Sequence, residues 1–223
     1  MRLLSCAGYK TTVFEAQPVA GGMLGIALPE FRLPRQVIEE EIAYIQNAGV
    51  EIRYNSPIDA RHTLNDLMNE GFSAVFLASG AQASKQIGIP GEDETASGLY
   101  YGLKFLHDIR SGSDFSLSGK TIVIGGGNVA MDVARTALRA GSDDVQLYCL
   151  ESRDEMPAWE KDVEEAVEEG VVLNPSWAPE EIFQKHGKIS GMRFSKCLNV
   201  FDQEGRFNPA CDLGDTHHVD ADN

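Results

Sequence analysis

Apolar positions along the chain recur with two periods, and the switches between them predict strands feeding helices. Thr11–Glu15 (TTVFE) is β-branched and aromatic and follows the Gly8 turn, as a strand should. Gly21, Gly22 and Gly25 then predict a loop. Beyond Pro34, Val37, Ile38, Ile42, Ile45 and Ala48 share one helical face, with Glu39 to Glu41 largely outside it. Gly49 stops that helix, and Val50, Ile52 and Tyr54 alternate as the next strand. Thr63–Asn69 predicts a short helix closed by Gly71. Ala74–Ala78 (AVFLA) is a continuous apolar run, read as a strand buried on both faces. A Pro90-Gly91 turn, a helix over Leu99–Arg110 and a Ser111-Gly112-Ser113 loop follow.

A second unit begins at Gly119. Thr121–Ile124 (TIVI) is a short buried-type strand, followed by Gly125, Gly126 and Gly127. Val129–Arg139 forms a helix rich in small residues, stopped by Gly141, and Val145–Leu150 is the next strand. A helix over 160–169 and a strand over Val171–Leu173 continue the alternation. After Trp177 the pattern becomes short alternating strands, with hairpin turns at Lys185-His186-Gly187-Lys188 and Asp202-Gln203-Glu204-Gly205. Strands feeding helices imply parallel α/β units, and the last stretch an antiparallel appendage.

Composition narrows the function classes. The chain has 223 residues, with 43% hydrophobic and 24% charged, enough to bury a core. Its net charge of −15 argues against nucleic acid and anionic membrane as partners. No apolar run reaches the ~20 residues of a membrane span. Cys6, Cys149, Cys197 and Cys211 form no C-x-x-C pair, so no metal site is assigned and a cytoplasmic location is expected. Residues 154–169 carry eight acids against Lys161, with Val163, Ala166 and Val167 facing the core. That helix reads as a solvated face or as a docking surface for a basic partner. His217-His218 reads as exposed, and Trp159 and Trp177 as packing residues rather than base-stacking platforms.

The strongest chemical signal is G-x-G-x-x-A at Gly125, Gly127 and Ala130, within Gly125-Gly126-Gly127-Asn128-Val129-Ala130. It follows an apolar strand, opens a helix and precedes a second strand, the context a dinucleotide fingerprint needs. Gly125 permits the tight turn, Gly127 a close backbone approach to pyrophosphate, and Ala130 close helix-on-strand packing. The anion then meets N–H groups at the helix start. Glu151 closes the second strand, somewhat beyond the usual ~20 residues, where a carboxylate accepts from the ribose hydroxyls and repels a 2′-phosphate. This favours NAD over NADP, although Arg153 offers a cation to a phosphate. The alternatives are a glycine turn without ligand and Glu151 as a solvated strand end.

Glu15 closes TTVFE as Glu151 closes the later strand, which suggests a second nucleotide site lacking its first strand and glycine loop. Arg2–Ala7 would be the tail of the helix after that loop. Gly21, Gly22, Met23 and Leu24 form a loop where backbone meets a cofactor closely, and Ala78, Ser79 and Gly80 sit at a strand's C-terminal end. Taken singly, each of these also reads as an ordinary turn.

Together, GYKTTVFEAQPVAGGMLGIALPEFRLPRQVIEEEI, AVFLASGAQ, IPGED, GLYYGLKFL, GKTIVIGGGNVAMDVAR and ESRDEMPAWEKDVEEAVEEGV resemble flavin- and nicotinamide-dependent oxidoreductases of the glutamate synthase small-subunit type. The resemblance covers nearly the whole chain. It implies a Rossmann-like, three-layer ββα α/β fold with an NAD domain (118–223) inserted in a partial FAD domain (1–117). It implies hydride transfer between NAD(P)H and FAD, with electrons passing to or from an iron–sulfur partner: a ferredoxin or a glutamate synthase large subunit. By the same resemblance Glu15 binds the FAD ribose, Gly22 to Leu24 line the flavin, and Ala78 to Gly80 lie near its pyrophosphate. Asn128 and Asp132 match the family's G-[ND]-x-A-x-D pattern beside the nicotinamide. No side chain is assigned as catalytic, because the cofactors carry such chemistry. FAD is expected of a full-length enzyme, of which this chain would be the middle. The alternative is a truncated module that binds NAD without flavin or redox activity.

Overall fold

The computed structural model describes residues 1–223. They divide into two compact units, Met1–Gln82 and Ala83–Asn223. The stretch 83–117, grouped by sequence with the first domain, belongs to the second compact unit.

In the first unit, α1 (Arg2–Cys6) leads to β1 (Thr11–Phe14), α2 (Met23–Ile26), α3 (Arg35–Asn47), β2 (Val50–Arg53) and α4 (Leu64–Asn69). β1 and β2 pair in parallel from Thr11↔Val50 to Phe14↔Arg53, so α3 is the crossover the pattern demands. Gly49, at φ +88°, takes the left-handed turn that ends α3. Thr63 and Asp66 cap α4 reciprocally, side chain to backbone in both directions. The stretch after Gly22, expected as loop, coils into the single turn of α2. Gly21 (φ +111°) is required there, because a Cβ would sit 3.0 Å from the Ile38 methyl of α3.

One expectation fails in this unit. Ala74–Ala78 is not a buried strand: it pairs with neither β1 nor β2, and Phe76 and Leu77 are 79% and 67% exposed. An apolar run becomes a strand only when a neighbour accepts its ladder hydrogen bonds, and here β1 pairs with β2 alone.

The second unit holds α5 (Gly102–Arg110), β3 (Lys120–Ile124), α6 (Asn128–Arg139), β4 (Asp144–Cys149), α7 (Glu160–Glu168), β5 (Val172–Pro175), β6 (Trp177–Lys185), β7 (Lys188–Phe201) and β8 (Phe207–Asp220). β3-β4-β5 is a parallel sheet and β6-β7-β8 an antiparallel one. Their facing sides share a core in which Tyr148 of β4 stacks on Phe194 of β7, ring centroids 4.0 Å apart. Leu147 points the opposite way from Tyr148 and is equally buried, so β4 is covered on both faces. α6 lies against β3 and β4 through a buried row of Met131, Ala134 and Ala137. The layers are thus sheet, sheet and helix. β7 and β8 run fourteen residues each, longer than the short strands expected. His186 and Gly187, both at positive φ, make the tight turn between β6 and β7.

The acidic stretch is only partly solvated. Val163 and Ala166 are buried as expected, but Val167 is exposed and Asp162 is buried. Arg135 of α6, itself nearly buried, donates to Glu165 at 2.7 Å and to Glu169 at 2.6 and 3.0 Å. Arg139 adds a second fork on Glu169 at 2.6 and 2.8 Å. These ion pairs bolt the end of α7 to α6. The hydrogen bonds from Arg139 and Arg135 hold the Glu169 carboxyl down to about 2, from an ordinary 4.5. A depressed carboxyl stabilises the fold above its unfolded pKa and stops doing so as pH falls through the folded value. Glu169→Gln is therefore expected to cost about 1–3 kcal/mol near neutral pH. In thermal melts the gap to wild type should close as pH falls from 4.5 towards about 2; a gap constant through that window refutes the assignment.

Candidate functional site

The turn after β3 builds the site. Gly125 (φ +134°) donates its N–H to Tyr148 O at 2.9 Å, and a Cβ there would meet Ala130 Cβ at 3.3 Å. The turn and the close helix packing thus have the steric basis that their residue types imply. Gly127 is the N-cap of α6, with no side chain capping the helix start. A Cβ on Gly127 would meet nothing within 4 Å. The backbone there faces open space, beside N–H groups that carry the positive end of the helix dipole.

Glu151 comes to the same turn from the end of β4. A Cβ on Gly126 would lie 2.7 Å from Glu151 Oε2 and 3.2 Å from Cys149 Cβ, so the middle glycine makes room for the carboxylate. The Glu151 carbonyl accepts the Ser176 N–H at 2.8 Å, which ties the strand tip to the start of β6. Arg153 is not held out to a ligand: its guanidinium forks onto Glu160, with Nη1 to Oε2 at 3.0 Å. That pair raises the Arg153 pKa further.

Residues 157–159 form a strap over the turn. Ala158 N–H donates to Gly126 O at 3.1 Å, and Trp159 N–H donates to Asn128 Oδ1 at 2.8 Å. Asn128 is thereby held at the helix start, and Val129 beside it is exposed. Trp159 is 73% exposed, which overturns its reading as a packing residue. Asp132 of α6 is buried. A mainly apolar cavity of about 640 Å³ opens at the turn, lined by Gly125, Gly127, Asn128 and Val129 together with Tyr100 and Tyr101. The strap and the Tyr100-Tyr101 wall escaped the sequence reading. The one available signal for the strap was a helix start (MPAWEK) without a Ser, Thr, Asp or Asn cap.

The other nominated residues lie in the first unit. Glu15 continues the β1–β2 ladder through its N–H to Arg53 O at 2.9 Å, and its carboxylate accepts Gln17 N–H at 2.9 Å. Gly22 (φ +53°) has open space around its Cβ position, Met23 is half-buried, and Leu24 is exposed. Ala78, Ser79 and Gly80 are exposed and stand at the end of no strand.

Comparison with known proteins supplies the family. The model for pyridine nucleotide-disulphide oxidoreductases matches residues 3–176. The NADP(+)-dependent formate dehydrogenase subunit beta of Moorella thermoacetica is 43% identical over 92% of this chain and 29% of its own length. The NADPH-Fe(3+) oxidoreductase subunit beta of Geobacter sulfurreducens is 35% identical over 98% of this chain and 33% of its own. The glutamate synthase [NADPH] small chain of Escherichia coli is 32% identical over 98% of this chain and 50% of its own. The chain thus spans between about a third and a half of these relatives. Among solved structures, the oxidoreductase FprA of Mycobacterium tuberculosis superposes with a TM-score of 0.82 at 17% identity, over 99% of this chain and 65% of that one, which shows the fold. The matched family model spans both the β1–β2 unit and the glycine turn with Glu151, and the chain belongs to the pyridine nucleotide-disulphide oxidoreductases, a family of FAD- and NAD(P)-dependent enzymes.

Proposed function

We propose that the second unit binds NAD(H) and that the whole protein is an oxidoreductase passing hydride between that nucleotide and FAD. In this reading 118–223 is the nucleotide domain, and 1–117 contribute to a flavin domain whose stretch 83–117 is seated on it. The observation that carries the reading is the open backbone at Gly127 beside the uncapped start of α6, with Glu151 at the same turn. Pyrophosphate suits those N–H groups, and a carboxylate suits ribose hydroxyls. NAD is preferred to NADP, because Glu151 opposes a 2′-phosphate and Arg153 is committed to Glu160. Relatives named for NADPH and for NAD both occur, so the family does not decide this point. NAD(H) when bound supplies the hydride, while the protein orients it and walls off water.

For FAD the fit is partial. Residues 1–82 contain no G-x-G-x-x-G, and Ala78 to Gly80 form no rim at a strand end. Glu15 and the Gly21–Gly22 turn are the elements suited to a nucleotide, and by themselves they support no step through flavin. This favours, for these residues alone, the second reading of an NAD-binding module without flavin. Three relatives are named as subunits or chains of larger enzymes, and an iron–sulfur subunit is the proposed electron partner. No helix is long and apolar enough to cross a membrane, and a cytoplasmic location goes with the reading.

Two variants test the nucleotide site. Gly127→Ala meets no neighbour in the protein, so it should fold, with a melting temperature lowered only modestly by loss of the glycine N-cap. Its Cβ should nevertheless weaken NADH binding at least tenfold, about 1.4 kcal/mol by calorimetry. Equal affinity in the two proteins excludes the pyrophosphate cradle. Glu151→Arg should move preference from NADH towards NADPH; an unchanged ratio means Glu151 does not read the ribose. Flavin is tested by adding FAD. A yellow protein bleached by NADH supports the hydride route, whereas colourless protein that still binds NADH leaves the module reading for this chain.

A further inference from the structure

Three of the four thiols gather behind the Glu151 strand tip. Cys149 ends β4, with its thiol donating to Glu151 O at 3.5 Å. Cys197 on β7 and Cys211 on β8 are direct cross-strand partners. Cys197 sends its N–H away from β8, to Ser176 O at 2.9 Å. In an antiparallel ladder this orientation leaves it facing Cys211 as a non-hydrogen-bonded pair, the kind whose Cα atoms stand about 4.5 Å apart with side chains closest. That spacing lies inside the ~4.4–6.8 Å window a disulfide spans without backbone movement. The Cys197 thiol donates to Asn199 O at 3.5 Å, and Cys211 packs against the small apolar cluster that Cys197 belongs to. Register shifts on both sides of the pair locally bend the strands, so its position is set by the fold rather than by a uniform ladder. All four cysteines are free thiols.

The two thiols differ in access. Cys197 is buried and Cys211 half-buried. Burial, reinforced by Cys211 and the Glu151 carboxylate, pushes the Cys197 thiol up to about 11, so it stays protonated and a poor target for direct oxidation. Reaction must enter at Cys211. We propose that Cys197 and Cys211 form a redox dithiol that closes to a cross-strand disulfide by exchange with a low-molecular-weight disulfide. In the first step the Cys211 thiolate attacks one sulfur of the oxidant, forming a mixed disulfide and releasing one thiolate. In the second, Cys197 gives up its proton and attacks the Cys211 sulfur, expelling the second thiolate. The two cysteines lose two electrons and two protons, and the oxidant leaves as two thiols.

The bridge would lock β7 to β8 next to a short hydrogen-bonded path: Cys197 N–H to Ser176 O, then Ser176 N–H to Glu151 O. Ser176 holds this path at φ +63°, a conformation uncommon for a residue with a side chain. The dithiol thus abuts the residue that the nucleotide reading assigns to the ribose, yet its chemistry does not depend on that reading.

The test uses the full chain with Cys6→Ser, which removes the one exposed thiol. The protein is incubated with glutathione disulfide, quenched with acid, alkylated in denaturant and mapped without reduction. The expected product is a Cys197–Cys211 cross-linked peptide, lighter by two hydrogens, carrying no glutathione and reversed by dithiothreitol. Adding Cys197→Ser should leave glutathione trapped on Cys211, and adding Cys211→Ser should leave Cys197 free. A lasting Cys211 adduct beside an alkylatable Cys197, a bridge to Cys149, or full alkylation of all three overturns the proposal. Mapping needs no bound nucleotide, so its failure is distinct from failure of the NAD(H) reading.

Discussion

The second unit is organised around one close approach, that of the Glu151 carboxylate to the backbone at Gly126. A side chain at 126 would displace the carboxylate and press on the Cys149 side chain. Because the middle glycine leaves that space, the end of β4 and the start of α6 share one small volume. The N–H groups at the helix start and an acidic acceptor are thereby held within a few atoms of one another. The strap at 158–159 depends on the same geometry, since its two N–H donors are spent on Gly126 O and Asn128 Oδ1.

The rest of the unit keeps that turn in place. Burial of β4 on both faces disfavours a register slip, which would swap Leu147 and Tyr148 between two differently packed cores. Small residues along α6 let the helix lie close to the sheet, which aims its N-terminus at the mouth of the cavity. On the far side, Arg135 and Arg139 fasten α7 through Glu165 and Glu169. Two of the acids in that run, Glu165 and Glu169, are therefore internal wiring between two helices, while most of the others face solvent. Such wiring is costly to half-remove, since a buried guanidinium left without its carboxylate loses compensation for its desolvation.

Sequence reading reached the second unit better than the first, for a physical reason. Gly125, Gly127 and Ala130 are specified by local sterics, so their spacing carries the βαβ turn in itself. The hairpins at 186–187 and 202–205 are equally local. Ala74–Ala78 shows the limit: hydrophobicity says what a segment avoids, but a strand also needs a partner ladder, and that is a long-range fact. Val167 and Asp162 were misplaced because helical phase over nine residues is too coarse to assign every flank position. The contribution of Gly126 was hidden because its neighbour, Glu151, comes from the next strand, and no pattern within the glycine motif announces it. Trp159 looked like core by residue type alone, whereas its backbone is what the site uses.

Packing at α6 also shapes how such a protein can change over generations. Met131, Ala134 and Ala137 leave no room for larger side chains, so the helix that presents the proposed phosphate-binding N–H groups has little freedom to vary. The strand tip at 151–153 is packed less tightly: Glu151 and Arg153 are half-buried, and Arg153 pairs with Glu160 at the surface. In the proposed reading, nucleotide preference would drift by substitutions at the tip while the helix start stays fixed. Relatives bearing the names of both nucleotides at comparable identity fit that division of mutational tolerance.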